Sequence, residues 1–404
     1  MKVIERLTVV CNVFSRTSSF QKPSLIAELR KIQLKKERLA FLILLLFLIM
    51  ATISPTANYP PPIQESMTDD TLETSELNAD YVIHGNETKF YAVNDKLHQV
   101  EFKSENFSEL INKVFSSAEE GAVIVLNSGR YPISATLKVL KPLHIYAYGV
   151  TFEVNATLTP VAIQIGDREH PIFSPHSFKG ARILNIDKMG EGIGVLLYNS
   201  HFGVLEDLEV WFFNFAVYSK GSWDYDVRNC ILRVNRVGIK LDQDDEGMNR
   251  SNHFKISGGY IGCEIGIHIT ANCQNVIIET VNICDSSQQG AGIWIEQAEH
   301  TIIRECYFEN NPNMDIKIGS EDLQATNTQI EECFFLVKKT AIKIEKCFYT
   351  RVEGCMAIND SGDNSALFID MTEKAIKLIY SHNYIQNLRN NFFFGSEGMN
   401  VEIN

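Results

Sequence analysis

Positive charge is scarce in this sequence. The 404 residues carry 37 Lys and Arg against 50 Asp and Glu, a formal net charge of −13. A general nucleic-acid binder needs a basic face to neutralise phosphates, so nucleic acid is excluded as the expected partner. No two of the nine cysteines form a C-x-x-C pair, which removes the familiar zinc and thioredoxin signatures. No apolar run reaches the roughly 18–20 residues of an ordinary transmembrane helix. Periodicity of 3.6 in repeats of about 33 to 47 residues, the mark of a helical solenoid, is absent, and so is the Leu/Asn framework of leucine-rich repeats.

What charge there is lies unevenly. Residues 1–38 hold nine basic and three acidic side chains, a balance of +6, leaving −19 on the rest. Leu39–Ile53 follows, fifteen residues without a charge. As a helix it would span roughly 22 Å, against a hydrocarbon core of about 30 Å, so it reads as a signal-anchor or signal-peptide core. The basic lead favours an anchor with the N-terminus inside. Residues 54–80, rich in Pro, Thr, Ser and acidic side chains, cannot bury enough apolar surface to order themselves and read as a linker. The expected order is thus a basic segment (1–38), a membrane-directed segment (39–53), a linker (54–80) and an exported domain (81–404).

That domain repeats. The segments starting at Gly238, Gly266, Gly292, Asp315 and Ala341 share an x-Ile-x-Ile or Leu template. Their inward positions form a series: Val195, Val217, Ile239, Ile267, Ile293, Ile316, Ile342 and Leu367, spaced 22 to 28 residues apart. A second series runs through Asp207, Cys230, Phe254, Val281, Cys306, Cys333, Cys355 and Asn383. Short period-2 strands separated by Asn, Asp, Gly and Ser turns, two columns at one period, predict an all-β solenoid in which each coil adds a strand to several parallel sheets. Cys306, Cys333 and Cys355, with Cys230, are expected to form a buried thiol ladder and not disulfides, since in-register neighbours lie about 4.8 Å apart.

With these columns the chain resembles the pectate-lyase-like superfamily of right-handed parallel β-helices, which includes polygalacturonases, pectate lyases and phage tailspikes. The entry matches as well: a capping box at Asn106–Glu109 opening a short helix around Leu110, Ile111 and Val114, then Gly129–Ile133 and Leu143–Gly149. The resemblance covers residues 81–404 and implies coils of about 25 residues behind an N-terminal capping helix. The superfamily hosts both enzymes and plain adhesins, so the implied function is polysaccharide binding, with cleavage by a hydrolase or lyase and non-catalytic glycan binding both open. Polygalacturonase-type motifs are incomplete: Asp244-Asp245, His268 and Lys317 are present without the Asn-Thr-Asp element or the arginine.

Alternation along the strands points Leu196, Tyr218, Lys240, His268, Trp294, Lys317, Lys343 and Phe368 outward in one column, with Tyr198, Lys220, Asp242, Thr270, Glu296, Gly319, Glu345 and Asp370 beside it. Asp242 and Glu296, two coils apart, should stand roughly 9.5 Å from each other, the upper edge for an inverting glycosidase pair. They are the candidate catalytic residues, with Tyr198, Tyr218, Lys240, His268 and Trp294 as the substrate-binding set. Asp242, Asp244 and Glu246 occupy positions 1, 3 and 5 of a run ending in Gly247, which mimics the start of a calcium loop; position 12 is His253, not Glu. The last strand-like residues, Val401–Ile403, would leave an open sheet edge, to be capped by a partner or by a homo-oligomer.

Overall fold

The computed structural model describes residues 78–85, 88–187, 190–270, 273–391 and 400–403. The basic segment, the expected membrane-directed stretch at 39–53 and nearly all of the linker lie outside them. Among the described residues no helix is long and apolar enough to cross a membrane.

Parallel strands dominate. One sheet contains 11 strands, a second contains 24, and the single described helix, α1, spans Phe107–Ser117. The 11-stranded sheet is the Ile-x-Ile series in register: Val195 pairs with Val217, Val217 with Ile239, then Ile267, Ile293, Ile316 and Ile342 follow coil by coil. All of these side chains are buried, each stacked on its equivalent in the next coil. This is the predicted all-β parallel solenoid. The last step differs from the expected alignment: Ile342 pairs with Ile369, not Leu367. Phe368 is consequently buried in the core, and Asp370 takes the outward position beside Lys343.

The 24-stranded sheet folds around a corner into two limbs. Its long limb carries strands such as Trp223–Arg228, Asn252–Ser257 and Cys273–Glu279, its short limb Ile231–Arg233, Tyr260–Gly262 and Asn282–Cys284. One residue makes each corner. Asp207, Asn229, Gly258, Thr280, Glu305, Glu332, Gly354 and His382 stack there, all with φ between 52° and 66°. The corner N–H groups from Asp207 to Gly354 still donate to the next coil, as Asn229 does to Ser257 at 2.9 Å, so the ladder passes through these bends unbroken. The buried position just after the corner holds Leu208, Cys230, Gly259, Val281, Cys306, Cys333, Cys355 and Asn383 in successive coils. Two residues assigned to this column from sequence lie elsewhere: Asp207 is at the corner, one residue before Leu208, and Phe254 is in the long limb opposite Tyr225. The extra length of that coil lies in the turn from Gln243 to Arg250, since Lys220 pairs with Asp242 before it and Trp223 with Asn252 after it.

All eight described cysteines are free and buried. Cys306, Cys333 and Cys355 each direct the thiol toward a carbonyl of the preceding coil, at 3.6, 3.7 and 3.8 Å. At the entrance, Asn106 caps α1 by accepting from the Glu109 N–H at 3.2 Å. The return half of the capping box is relayed: the Ser104 hydroxyl donates to Glu109 and accepts from the Asn106 N–H. Phe107, Leu110, Ile111 and Val114 close the open end of the core. Ahead of the helix, Tyr81–Gly85, Phe90–Asn94 and Gln99–Ser104 form an antiparallel meander, which period-based reading does not reveal.

Candidate functional site

The outward face of the Ile-x-Ile sheet brings together most of the residues singled out from sequence. Tyr218, Lys240, His268, Trp294, Lys317 and Lys343 are neighbours in register. They pack on one another. The His268 ring stacks on Trp294 with centroids 4.6 Å apart and planes at 16°, and the Lys317 ammonium lies 4.4 Å from the indole centroid from the next coil. Tyr218 has Lys240 at 5.1 Å and Lys220 at 5.4 Å from its ring centre. The flat faces that a sugar would need are therefore already covered by cations and rings of the protein itself.

The two candidate catalytic carboxylates lie on this face, two coils apart with Thr270 between them, as the Thr270-to-Leu241 and Glu296-to-Ile269 backbone bonds show. Burial opposes the charge on Asp242, but the Lys240 ammonium at 3.1 Å and the Gln243 N–H at 2.9 Å outweigh it and hold the carboxyl below its ordinary range. The His268 Nε2 at 3.1 Å does the same for Glu296, against a smaller opposing effect of burial. Both are thus carboxylates at neutral pH. General-acid catalysis calls for a carboxyl whose surroundings raise its pKa, and neither environment acts that way.

The turn from Gln243 to Arg250 is tightly built. Asp244 is buried and accepts from the Met248 N–H at 2.8 Å and the Asn249 side chain at 3.0 Å. Asp245 pairs with Lys220 and takes the Tyr198 hydroxyl at 3.3 Å. Glu246 pairs with Arg168. Asp242, Asp244 and Glu246, expected to share a calcium ion, thus face Lys240, Asn249 and Arg168 respectively, and among the described residues no group of three His, Cys, Asp or Glu could hold a metal ion.

This turn walls a cleft of about 410 Å³ where the Ile-x-Ile strands give way to the long limb. Tyr198, Asp244 and Glu246 line it, and so do three residues that the sequence reading passed over, Phe173, His201 and Trp223. These occupy one position in three consecutive coils. The His201 ring lies 4.8 Å from Phe173, tilted by 26°, and 4.5 Å from Trp223, tilted by 44°. Phe173 is 59% exposed and Met248, on the opposing turn, 78%. Burial holds the His201 imidazole down to about 4, so it is neutral, and its Nδ1 has no hydrogen-bond partner among the described residues. A second hollow of about 240 Å³ adjoins the first and shares Trp223, Met248 and Asn249 with it. The signal that could have found this corner is the pair Ser200-His201 and Ser222-Trp223, 22 residues apart, each just beyond an Ile-x-Ile strand.

A family model described as periplasmic copper-binding protein (NosD) matches residues 154–346. Among solved structures, the periplasmic alginate epimerase AlgG superposes with a TM-score of 0.51 at 12% identity, over 70% of this chain and 74% of that one. The fold of the chain is that of a right-handed β-helix of the pectate-lyase-like type. This β-helix is also similar to PfbA, a surface adhesin of Streptococcus pneumoniae (10% identity, 70% and 88% covered, TM-score 0.48), and to the Dettilon tailspike protein (12%, 69% and 64%, 0.49). At such identities the likeness is one of fold. No curated protein matches the β-helix in sequence. The copper in the family description meets no fitting donor set among the described residues, where no metal-holding group forms and the eight thiols are buried.

Proposed function

We propose that this β-helix is an exported polysaccharide-binding protein and that the glycan lies in the cleft beside the Gln243–Arg250 turn. The observation that carries this reading is the Phe173–His201–Trp223 stack, aromatic surface open to a cleft with Tyr198, Arg168, Glu246 and Asn249 around it. Apolar ring faces take the C–H faces of sugars, and the polar rim supplies hydroxyl partners. The periplasmic alginate epimerase of similar fold supports a polysaccharide ligand, and its periplasmic description and that of the family model support export. Export would be directed by residues 39–53, with 54–80 as the stalk.

Binding is the activity we assign, and the self-packed column of Asp242, Lys240, His268, Trp294 and Glu296 acts as the wall next to it. The test is a polysaccharide array read both for retention of the protein and for new reducing ends or unsaturated products. Retention without product is the expected result. Product formation that disappears in Asp242→Asn would instead make the Asp242–Glu296 pair a catalytic one, and failure to retain any polysaccharide would refute the reading.

A further inference from the structure

A separate hollow of about 410 Å³ lies at the other end of the Ile-x-Ile strands, where the short limb turns into them. Its lining includes Arg233, Val234, Arg236, Tyr260, Glu264 and Asp285. The Arg233 guanidinium lies 5.4 Å from the Trp211 ring and 5.2 Å from the Tyr260 ring, which come from the strands on either side. Stacking on aromatic rings occupies the faces of a guanidinium and leaves its in-plane N–H groups free, the edge that grips an oxyanion in bidentate fashion. No ion pair with a described residue uses that edge. The other charges of the hollow are engaged: Asp285 accepts the Tyr260 hydroxyl at 2.8 Å, and Arg236 faces Glu264 at 4.0 Å. One unspent cation, in a domain with excess acid, is what distinguishes this hollow.

Its backbone is unusual at the same place. Val234 has φ of 56° and is 45% exposed. The equivalent position after the short-limb strand is held by Phe212 in the preceding coil and by Asp285, Asn310 and Asn387 in later ones, all with positive φ, and Val234 is the β-branched member of the set. A β-branched residue there is strained, and such strain concentrates at sites of function.

We infer that this hollow is a binding site for a small ligand that presents a carboxylate or sulfate to Arg233 while an apolar face rests on Val234 and Tyr260. The site is separate from the cleft and does not depend on it. Calorimetric titration of the full chain with glucuronate, glucose 6-sulfate and glucose tests it. One or both anions should bind, with glucose at least about tenfold weaker and the anion affinity falling as salt rises; which anion wins identifies the oxyanion. Arg233→Lys, which keeps the charge and loses the fork, should weaken anion binding, and Arg233→Gln should abolish it. Glu264→Gln, which removes a competing carboxylate without touching the stack, should strengthen it, and Trp223→Ala in the cleft should leave it unchanged. Equal affinity for glucose, no binding of either anion, or unaltered anion binding in Arg233→Gln would overturn the proposal.

Discussion

Asp315 occupies a place in the repeat where earlier coils have Gly238, Gly266 and Gly292, just ahead of the inward isoleucine. It is 1% exposed; its Oδ1 accepts from Asn311 at 2.8 Å, and its Oδ2 has no partner among the described residues. Burial raises its pKa well above the ordinary value, against a smaller opposing effect of Asn311. For a carboxyl raised on folding, the folded state is favoured at low pH and loses stability as pH rises above the unfolded value near 3.8. Asp315→Asn keeps the acceptor for Asn311 and removes the ionisable group. It should therefore raise neutral-pH stability by about 1–3 kcal/mol, seen as a higher urea midpoint. No gain, or a loss, would mean that the carboxyl is better accommodated than its surroundings indicate. Burial also holds His201 to about 4 and depresses His176, which is enclosed by Ser174, Ser200 and Tyr225. Both must charge when the chain unfolds in mild acid, so their contribution is complete above about pH 6.5 and declines toward pH 4. Urea midpoints measured between those values should fall with pH, and His201→Gln should flatten part of the slope.

The one-residue corners are the elements on which the larger sheet depends. Each demands a left-handed residue, and seven of the eight are Gly, Asn, Asp, Glu or His; Thr280 is the β-branched exception. Thr280→Asn should stabilise the fold by roughly 1 kcal/mol, because Asn enters this region at lower steric cost. A thermal scan that shows a lower melting temperature would contradict that account of the corner. Next to the corner, the thiol ladder is sealed: burial pushes the Cys230 thiol up to about 12 and the Cys333 thiol well above its ordinary value. The eight buried cysteines should ignore Ellman's reagent in the folded protein and react on denaturation. The Ile and Cys columns were legible in sequence because identical inward positions recur in nearly every coil. Phe254 was misplaced because a Phe-x-Ile segment in the long limb has the same alternation as one in the short limb. Leu367 was misaligned for the same reason, since a slip of two residues preserves the period.

Across the molecule, three outward faces carry different chemistry. The long limb bears an ion-pair ladder, Lys255 and Arg304 on Glu279 and then Arg351 between Glu331 and Glu353. The short limb turns apolar toward its later coils through Tyr307, Phe334 and Met356. The Ile-x-Ile face carries the stacked column of rings and cations. Alternation located that column correctly up to Lys343, yet it could not reveal that the rings would cover each other. It also missed the cleft, since His201 and Trp223 share a motif in only two coils and Phe173 belongs to an irregular one. Distance in sequence hid the site more than chemistry did: Arg168 and Glu246, which form an ion pair at its rim, are three coils apart.

The most direct test compares the two tryptophans as ligand anchors. A polysaccharide retained by the protein is fragmented to oligosaccharides and titrated against the wild type, Trp223→Ala and Trp294→Ala, each first checked for an intact thermal transition. The account predicts that Trp223→Ala loses binding by about tenfold or more, roughly 1.4 kcal/mol or above, while Trp294→Ala binds as the wild type does. Undiminished binding in Trp223→Ala, with loss in Trp294→Ala, would contradict it and return the ligand to the Ile-x-Ile face.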